Sequence, residues 1–465
     1  VGNLSRIGYL FAGWNTAADG SGTSVTPGSS FPGSTSATLF ATWTPSNTGL
    51  TPNFNTNTNA PIGVLGNTAY TINNQYTETS TTNWNLKASL EPIKYMKIEL
   101  TATRQDGRNL TSFFRYDIDS MEYQFQSPME TGNFSASVNT WSTAFVRDDK
   151  ANGNMSETFL NLLAYREVIS ARLNDENYQL GNPETSGYYQ GFGGTAQDVV
   201  IPAFIAAYTG KTAEEVNLNS FRTPSQPNWK VSYDGLTKIE SVKKYFKQFT
   251  VNHQYRSTIS ASYVTNLNYT QDQQGRPSAL DQNEVPNWIP QQQIGTITIS
   301  EQMSPLLGFD MTLKTKKSND PQFKVEMKRD RTVGLGLSNN QVTETRSNSF
   351  VIGTGYKFTD IPNPIAKIKG QKFPMKLLKS TSINLRADLT MRDNVTIIRK
   401  IVEKQNQITA GQTLWSLKTS ADMAVSDKLT IRFFYDHQFN KPKISNSFNN
   451  TNINSGIAIR FTLNG

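Results

Sequence analysis

From Ser380 to Leu463 the chain alternates apolar and polar residues with a period of two, and few folds accommodate that pattern. Ile383, Leu385, Ala387, Leu389 and Met391 share one parity, and Asn384, Arg386, Asp388, Thr390 and Arg392 share the other. Leu417, Thr419, Ala421, Met423 and Val425 alternate with Lys418, Ser420, Asp422 and Ala424. The series continues with Leu429, Ile431, Phe433 and Tyr435 against Thr430, Arg432, Phe434 and Asp436. Ile457, Ile459, Phe461 and Leu463 close it, against Ala458, Arg460 and Thr462. Four segments of similar length predict an antiparallel sheet with an apolar face and a charged one. The apolar side must meet either a protein core or a lipid bilayer.

The same period recurs upstream. Trp84, Leu86, Ala88 and Leu90 share a parity, as do Met96, Ile98, Leu100 and Ala102 after a turn at Pro92. Strands are predicted at Ser112–Tyr116, Glu122–Gln126 and Phe134–Val146. The longest run reaches from Phe249 to Tyr269, about twice the ~9–11 residues a tilted strand needs to cross a bilayer. Such a strand must project beyond a membrane or bend. Ile297–Ile299, Leu307–Leu313, Phe323–Met327, Val333–Leu337 and Phe350–Phe358 follow. The total is roughly fifteen strands, against ~5–6 in an ordinary sheet.

Between 148 and 227 the period changes. Ser156 is placed to cap a helix carrying Phe159, Leu162, Leu163, Arg166, Ile169 and Leu173 at helical spacing. Pro202 suits the first turn of a second helix, and Thr212 with Glu215 forms a capping-box pattern for a short third. Residues 1–80 are a Thr/Asn/Ser/Gly/Pro-rich tract. It reads as an irregular surface segment or as a partner-binding arm anchored by Tyr9, Phe11 and Trp14. The predicted organisation is therefore 1–80 low-complexity segment, 81–147 strands, 148–227 helical insert and loops, and 228–465 C-terminal strands.

A soluble sandwich needs only short strands with turns every ~8–12 residues. Here long strands carry charges on the polar parity, such as Lys324, Glu326 and Lys328. Tight connections are expected at Ser426-Asp427, Asp393-Asn394 and Asp330, and long ones at Thr359–Lys379 and Phe439–Asn452. Tight turns on one side and long loops on the other is the outer-membrane pattern, although the turn at Asp330 falls on the long-loop side. The predicted fold class is all-β: a transmembrane antiparallel β-barrel segment with a small helical insertion. Arg386, Asp388, Arg392, Lys418, Asp422, Arg432, Asp436 and Arg460 are predicted to face the lumen. Leu385, Leu389, Leu417, Ile431, Phe433, Ile457, Ile459 and Phe461 are predicted to face lipid.

Little in the chain points to catalysis. There is no cysteine, hence no disulfide or thiolate metal site. His253 and His437 lie on the apolar parity of predicted strands, and Asp436 points away from His437. Thr209–Thr212 resembles the tail of a phosphate loop, but Ile205 stands where that loop needs Gly. Gly191–Gly194 reads as a loop that needs positive φ. Acidic residues lack metal-ligand spacing. The net charge of +8 is spread along strands and not gathered into a nucleic-acid platform. No enzyme activity, cofactor, metal or nucleic-acid partner is expected. The chain starts at Val1 without a secretory signal, which suggests either a cleaved leader or a fragment of a longer protein.

Several ordered stretches resemble the C-terminal part of the SprA/Sov family, the outer-membrane translocons of the type 9 secretion system in Bacteroidota. They are Ile201–Lys211, Pro227–Trp229, Val333–Asn340, Gly353–Phe358, Leu389–Asn394 with Ile397–Arg399, Thr409–Lys418, Phe433–His437 and Ser455–Arg460. The likeness runs from about Asn83 to the C-terminus. It implies one arc of a very large barrel that exports folded or large cargo proteins across the outer membrane, a system tied to secretion and gliding motility. The implied partners are the remainder of the translocon chain, a PorV-like barrel, a periplasmic plug protein, secreted cargo and membrane lipids. Competing readings are a small-solute porin or TonB-dependent receptor, and a soluble cell-surface β-adhesin.

Overall fold

The computed structural model describes residues 9–18, 21–26, 39–45, 75–117, 122–177, 186–219, 224–283, 285–315, 319–365, 378–444 and 447–462. Two compact units emerge, 1–80 with 108–130 and 81–107 with 131–465.

In the first unit, β1 (Tyr9–Asn15) pairs antiparallel with β2 (Ser24–Val25) and β3 (Phe40–Pro45). The rings of Phe11 and Trp14, two of the three predicted anchors, meet edge to face at 5.3 Å. Residues 1–8, 19–20, 27–38 and 46–74 of the low-complexity tract lie outside the described residues. Two hairpin strands also enter this unit, and there Phe125 packs on Phe114 and Tyr76 while Arg108 pairs with Glu130 at 2.7 Å.

The second unit is built on a 12-stranded antiparallel sheet. Its members in chain order begin with β4 (Gln75–Leu90), β5 (Met96–Asp117) and β6 (Glu122–Ser137). A small ribbon of β7 (Asp148–Asp149) and β8 (Met155–Ser156) and two helices, α1 (Glu157–Asn177) and α2 (Gln197–Thr209), interrupt the series. It resumes with β9 (Asn228–Tyr233), the one-turn helix α3 (Glu240–Lys243), β10 (Phe246–Thr265), β11 (Gln292–Leu313) and β12 (Gln322–Gly336). The last five strands are β13 (Gln341–Pro362), β14 (Ser380–Lys400), β15 (Gln405–Ala424), β16 (Leu429–Pro442) and β17 (Asn450–Phe461). The spatial order is β17-β16-β15-β14-β13-β12-β11-β10-β6-β5-β4, and β9 pairs with β10 on one side and β5 on the other.

β6 and β9 are thus two halves of one strand position. β6 leaves β10 at Ser137, opposite Thr258, and β9 rejoins it at Trp229, opposite Tyr255. The joint is stitched by Val138 N–H to Ser257 O, Gln226 N–H to Ser137 O and Ser257 N–H to Asn228 Oδ1. Everything between, 138–227, is an insert that folds back over one face of the sheet.

The strands of the large sheet are longer than the alternation predicts, and at twelve they are fewer than the roughly fifteen expected. Ile297–Ile299 and Leu307–Leu313 belong to one strand, β11, and Phe323–Met327 and Val333–Leu337 fall on β12 and its end. The expected turns at Asp330 and Asp393-Asn394 are mid-strand: Asp330 pairs with Ser347, and Asp393 with Asn348 and Thr413. Polar residues there do not break the ladder because they sit in continuous two-sided pairing. The strand expected to reach Val146 ends at Ser137, and the run from Phe249 ends at Thr265. Long and short connections are not segregated. The insert, 266–291, and the tight turns 337–340 and 401–404 share one end; 363–379 and the tight turn at 425–428 share the other. Residues 316–318 and 366–377 in two of the expected connections lie outside the described residues.

The helices follow the apolar spacing. Ser156 Oγ accepts the Phe159 N–H at 3.2 Å, as the capping pattern predicts. Phe159, Leu162, Ile169 and Leu173 of α1 are buried, and so is every residue of α2 from Val199 to Tyr208. A helix apolar on all sides is one packed on all sides. Pro202 lies inside α2 and not in its first turn. The cost is one lost bond to the Asp198 carbonyl, offset by the burial around it. Thr212–Glu215 does not form a helix. Arg172 of α1 takes the Ala213 and Val216 carbonyls, at 2.6 and 3.0 Å, that a helix would use internally. Gly210 ends α2 in the left-handed conformation (φ 72°), so Thr209–Thr212 is a helix cap and not a phosphate loop.

Gly191 adopts φ +86°, as its glycine cluster suggests, and a Cβ there would lie 1.9 Å from Trp288 Nε1. Gly191→Ala is expected to destabilise the insert by at least ~1–3 kcal/mol, read as earlier proteolysis of the 186–219 region. Unchanged protease resistance would contradict the packing.

A candidate membrane-facing band and its polar counterpart

Because paired residues in adjacent strands share a face, the register fixes what each face presents. One row reads Val251, Phe309, Val325, Ile352, Leu389, Leu417, His437, Ile453 from β10 to β17. The row two residues nearer the insert runs Leu307, Met327, Phe350, Met391, Trp415, Phe439. At the far side lie Phe358, Ile383, Met423, Ile431 and Ile459. All eight residues predicted to face lipid are on this apolar face; seven are exposed, from Leu417 at 36 % to Ile459 at 70 %, and Ile431 is half-buried. The uncovered band on β13 spans about nine residues, Phe350 to Phe358, matching the ~9–11 of a tilted crossing strand.

All eight residues predicted to face a lumen lie on the opposite face. Here one row carries Asp310, Lys324, Gly353, Asp388, Lys418 and Asp436, charges of alternating sign. Asp422 and Arg432 are directly opposed and ion-paired at 2.5 Å. Arg392 Nε donates to Ser349 Oγ at 3.2 Å. The Asp422–Arg432 pair is partly exposed and contributes little to stability. The effect of these charges is to keep that face wet.

Toward the insert end the apolar parity continues, but it is covered. Ile259, Ile299, Val333 and Leu335 pack beneath α1 and α2 in one core with Phe159, Leu162, Phe204 and Ile205. This accounts for strands of 20–22 residues: roughly the half beyond the band is a support for the insert. From the edge of the band into the core runs a line of buried and half-buried charges on the same face. Arg399, fully buried, donates to Glu344 Oε2 at 2.8 Å and to Asp148 Oδ1 at 2.6 Å. Arg346 binds both Asp148 oxygens at 2.7 and 2.8 Å and reaches Glu344 Oε1 at 2.7 Å. Arg331 pairs with Glu301 at 3.0 Å and donates to Thr143 O at 2.8 Å; Thr140 also donates to Glu301. Each guanidinium thus ties a strand to a carbonyl or carboxylate of the insert, where the planar fork suits two-point contacts.

The alternation does not reveal this network, although it left a signal. Glu344, Arg346, Arg331 and Arg399 interrupt the apolar parity of their strands, and on β12 and β13 the band stops shortly before them. Tyr208 of α2 lies against the same charges. Burial pushes its phenol pKa up, with Glu344 adding to the rise, and its hydroxyl has no partner among the described residues. Tyr208→Phe is expected to leave stability unchanged or raise it by ~1 kcal/mol, measured by thermal melting. A loss of several degrees would show that the hydroxyl is satisfied.

Both histidines lie on the apolar face. His253 Nε2 accepts from Trp229 Nε1 at 3.0 Å and Nδ1 faces Leu306 O at 2.6 Å, so the proton sits on Nδ1 and both nitrogens are engaged. His437 stands opposite Leu417 while Asp436 stands opposite Lys418, on the other face. Among the described residues no group of His, Asp and Glu is arranged to hold a metal ion. No helix among them is long and apolar enough to cross a membrane, which does not bear on crossing by strands. No family model matches the chain, and no curated protein matches its sequence.

Proposed function

We propose that this chain is one arc of a protein-conducting outer-membrane barrel of the SprA/Sov kind, passing large or folded cargo without catalysis. The observation that carries the membrane part is the bare apolar band: of membrane-crossing length, on one face of a sheet whose other face is charged. A water-soluble adhesin would leave that band in solvent, far beyond the few hundred Å² of apolar patch a soluble monomer tolerates.

Strand count supports an arc over a complete barrel. With β6 and β9 sharing a position, the 12-stranded sheet has eleven positions, and β4 and β17 run the same way. An antiparallel barrel closes on an even number, so the eleven positions among the described residues would need further strands between β17 and β4 to close one. The remainder of the translocon chain is the proposed source. The assignment to type 9 secretion rests on the sequence resemblance, as do the PorV-like barrel, the plug and the cargo as partners.

Two experiments test this. Washing membranes at alkaline pH should leave the protein in the pellet; recovery in the aqueous fraction would overturn the membrane reading. A photo-crosslinker replacing Lys418, on the charged face, should capture secreted proteins in transit. If the protein stays in the membrane and no secreted protein is captured, the export reading fails.

A further inference from the structure

Arg329 of β12, half-buried, is the odd member of the charge line. Arg331 is matched by Glu301, and Arg346 and Arg399 by Glu344 and Asp148. Arg329 bonds only to neutral oxygens, Ala144 O at 2.6 Å and Asn348 Oδ1 at 3.1 Å, and its Nε has no partner among the described residues. The cluster is therefore one positive charge in excess.

Its position says where a counter-charge would come from. Arg329 lies on the apolar face, one row from Met327 and Phe350, which are 47 % and 45 % exposed at the rim of the bare band. Its guanidinium stands 5.2 Å from the Phe145 ring, which meets Trp141 edge to face at 5.2 Å. Both rings belong to the insert and both are exposed. Large aromatic rings at the edge of an apolar band are the usual furniture of a membrane–water interface.

We propose that Arg329, with Phe145 and Trp141, seats the phosphate of an anionic lipid headgroup at the insert-side border of the band. The lipid's acyl chains continue down over Met327 and Phe350, and its phosphate supplies the charge that the protein omits. This rests on the membrane reading above, and the insert is then a support that meets the bilayer surface as well as a cover for the projecting strands.

The test uses the intact protein purified from membranes in mild detergent. Short-chain phosphatidylglycerol, short-chain phosphatidylcholine and inorganic phosphate are titrated, with bound ligand counted by native mass spectrometry. Phosphatidylglycerol should bind wild type, and Arg329→Gln should weaken it about fivefold, the effect of one interfacial cation. Arg329→Lys and the polar-face control Lys324→Gln should keep it. Phe145→Ala, which removes the more exposed ring and leaves Trp141 on Trp229 and Tyr255, should weaken it as well and covers the event that Arg329→Gln misfolds. Equal binding by Arg329→Gln and wild type would overturn the proposal. So would inorganic phosphate or phosphatidylcholine matching phosphatidylglycerol, the first by marking a free-anion site. A protein that remains in the alkaline-washed membrane but binds no phosphatidylglycerol sinks the headgroup seat alone; release from that membrane sinks the reading beneath it.

Discussion

Leu389→Arg is expected to abolish stable assembly in the outer membrane, whereas Asp388→Leu, one residue away, leaves it nearly intact. Leu389 lies one row from the middle of the band, between Ile352 and Leu417, with its side chain 40 % exposed and no protein cover. An arginine near the bilayer midplane of a barrel wall costs about 2–4 kcal/mol, falling to about 0–1 near the interfaces. Ile431, also predicted to face lipid, falls on the border row, so Ile431→Arg should be milder than Leu389→Arg. Asp388 is on the wet face between Gly353 and Lys418 and loses only a screened pair. Membrane-fraction yield and heat-modifiable gel mobility read the difference. Equal loss for Leu389→Arg and Asp388→Leu would mean that the two faces have been misassigned.

Arg399→Met should have the second large effect, acting on the insert rather than the band. It leaves Glu344, 2 % exposed, with Arg346 as its one remaining arginine and its Oε2 unpaired, and breaks one of the two arginine links to Asp148, so the loss falls at the low end of that for a broken buried pair. Removing one partner of a buried pair costs about 3–5 kcal/mol because the other charge stays buried. The expected result is premature proteolysis of 139–219 and faster amide exchange in α1 and α2, with the strands still protected. The double variant Arg399→Met with Glu344→Met leaves Arg346 and Asp148 paired and should recover most of the loss, since an apolar replacement of a buried pair is often neutral. A double variant as unstable as the sum of the singles would contradict a role for unpaired charge.

Sequence alone made the two-faced sheet legible, and the sixteen residues it divided between two faces fall on opposite faces of β14 to β17; Phe439, expected in a long loop, lies instead on β16 in the apolar row. Alternation reports facing directly, and these strands keep one parity through the band; the one-residue bulge at Thr409 of β15 lies beyond it, toward the insert. It did not reveal strand continuity. Asp330 and Asp393-Asn394 look like turns because polar residues usually mark them, but both are held by partners on two sides. Nor could it show that 138–227 interrupts a single strand position. β9 has only 6 residues, and its pairing with both β5 and β10 exists only in three dimensions. The charge network escaped for the same reason: Asp148 and Arg399 are distant in sequence and meet only once the insert folds back. Even so, the break in apolar parity at Arg329 and Arg331 of β12, between Met327 of the band and Val333 of the core, marks the border between the two, and it can be read without coordinates.

The absence of cysteine from the chain makes the decisive measurement clean. Single replacements Leu385→Cys, Ala387→Cys and Leu389→Cys sample the bare face of β14, and Arg386→Cys and Asp388→Cys the charged face between them. In intact outer membranes a water-soluble maleimide should label the second pair and spare the first three, with all five labelled after denaturation. Labelling of positions 385, 387 and 389 as fast as 386 and 388 would place the band in water and contradict a lipid-facing wall.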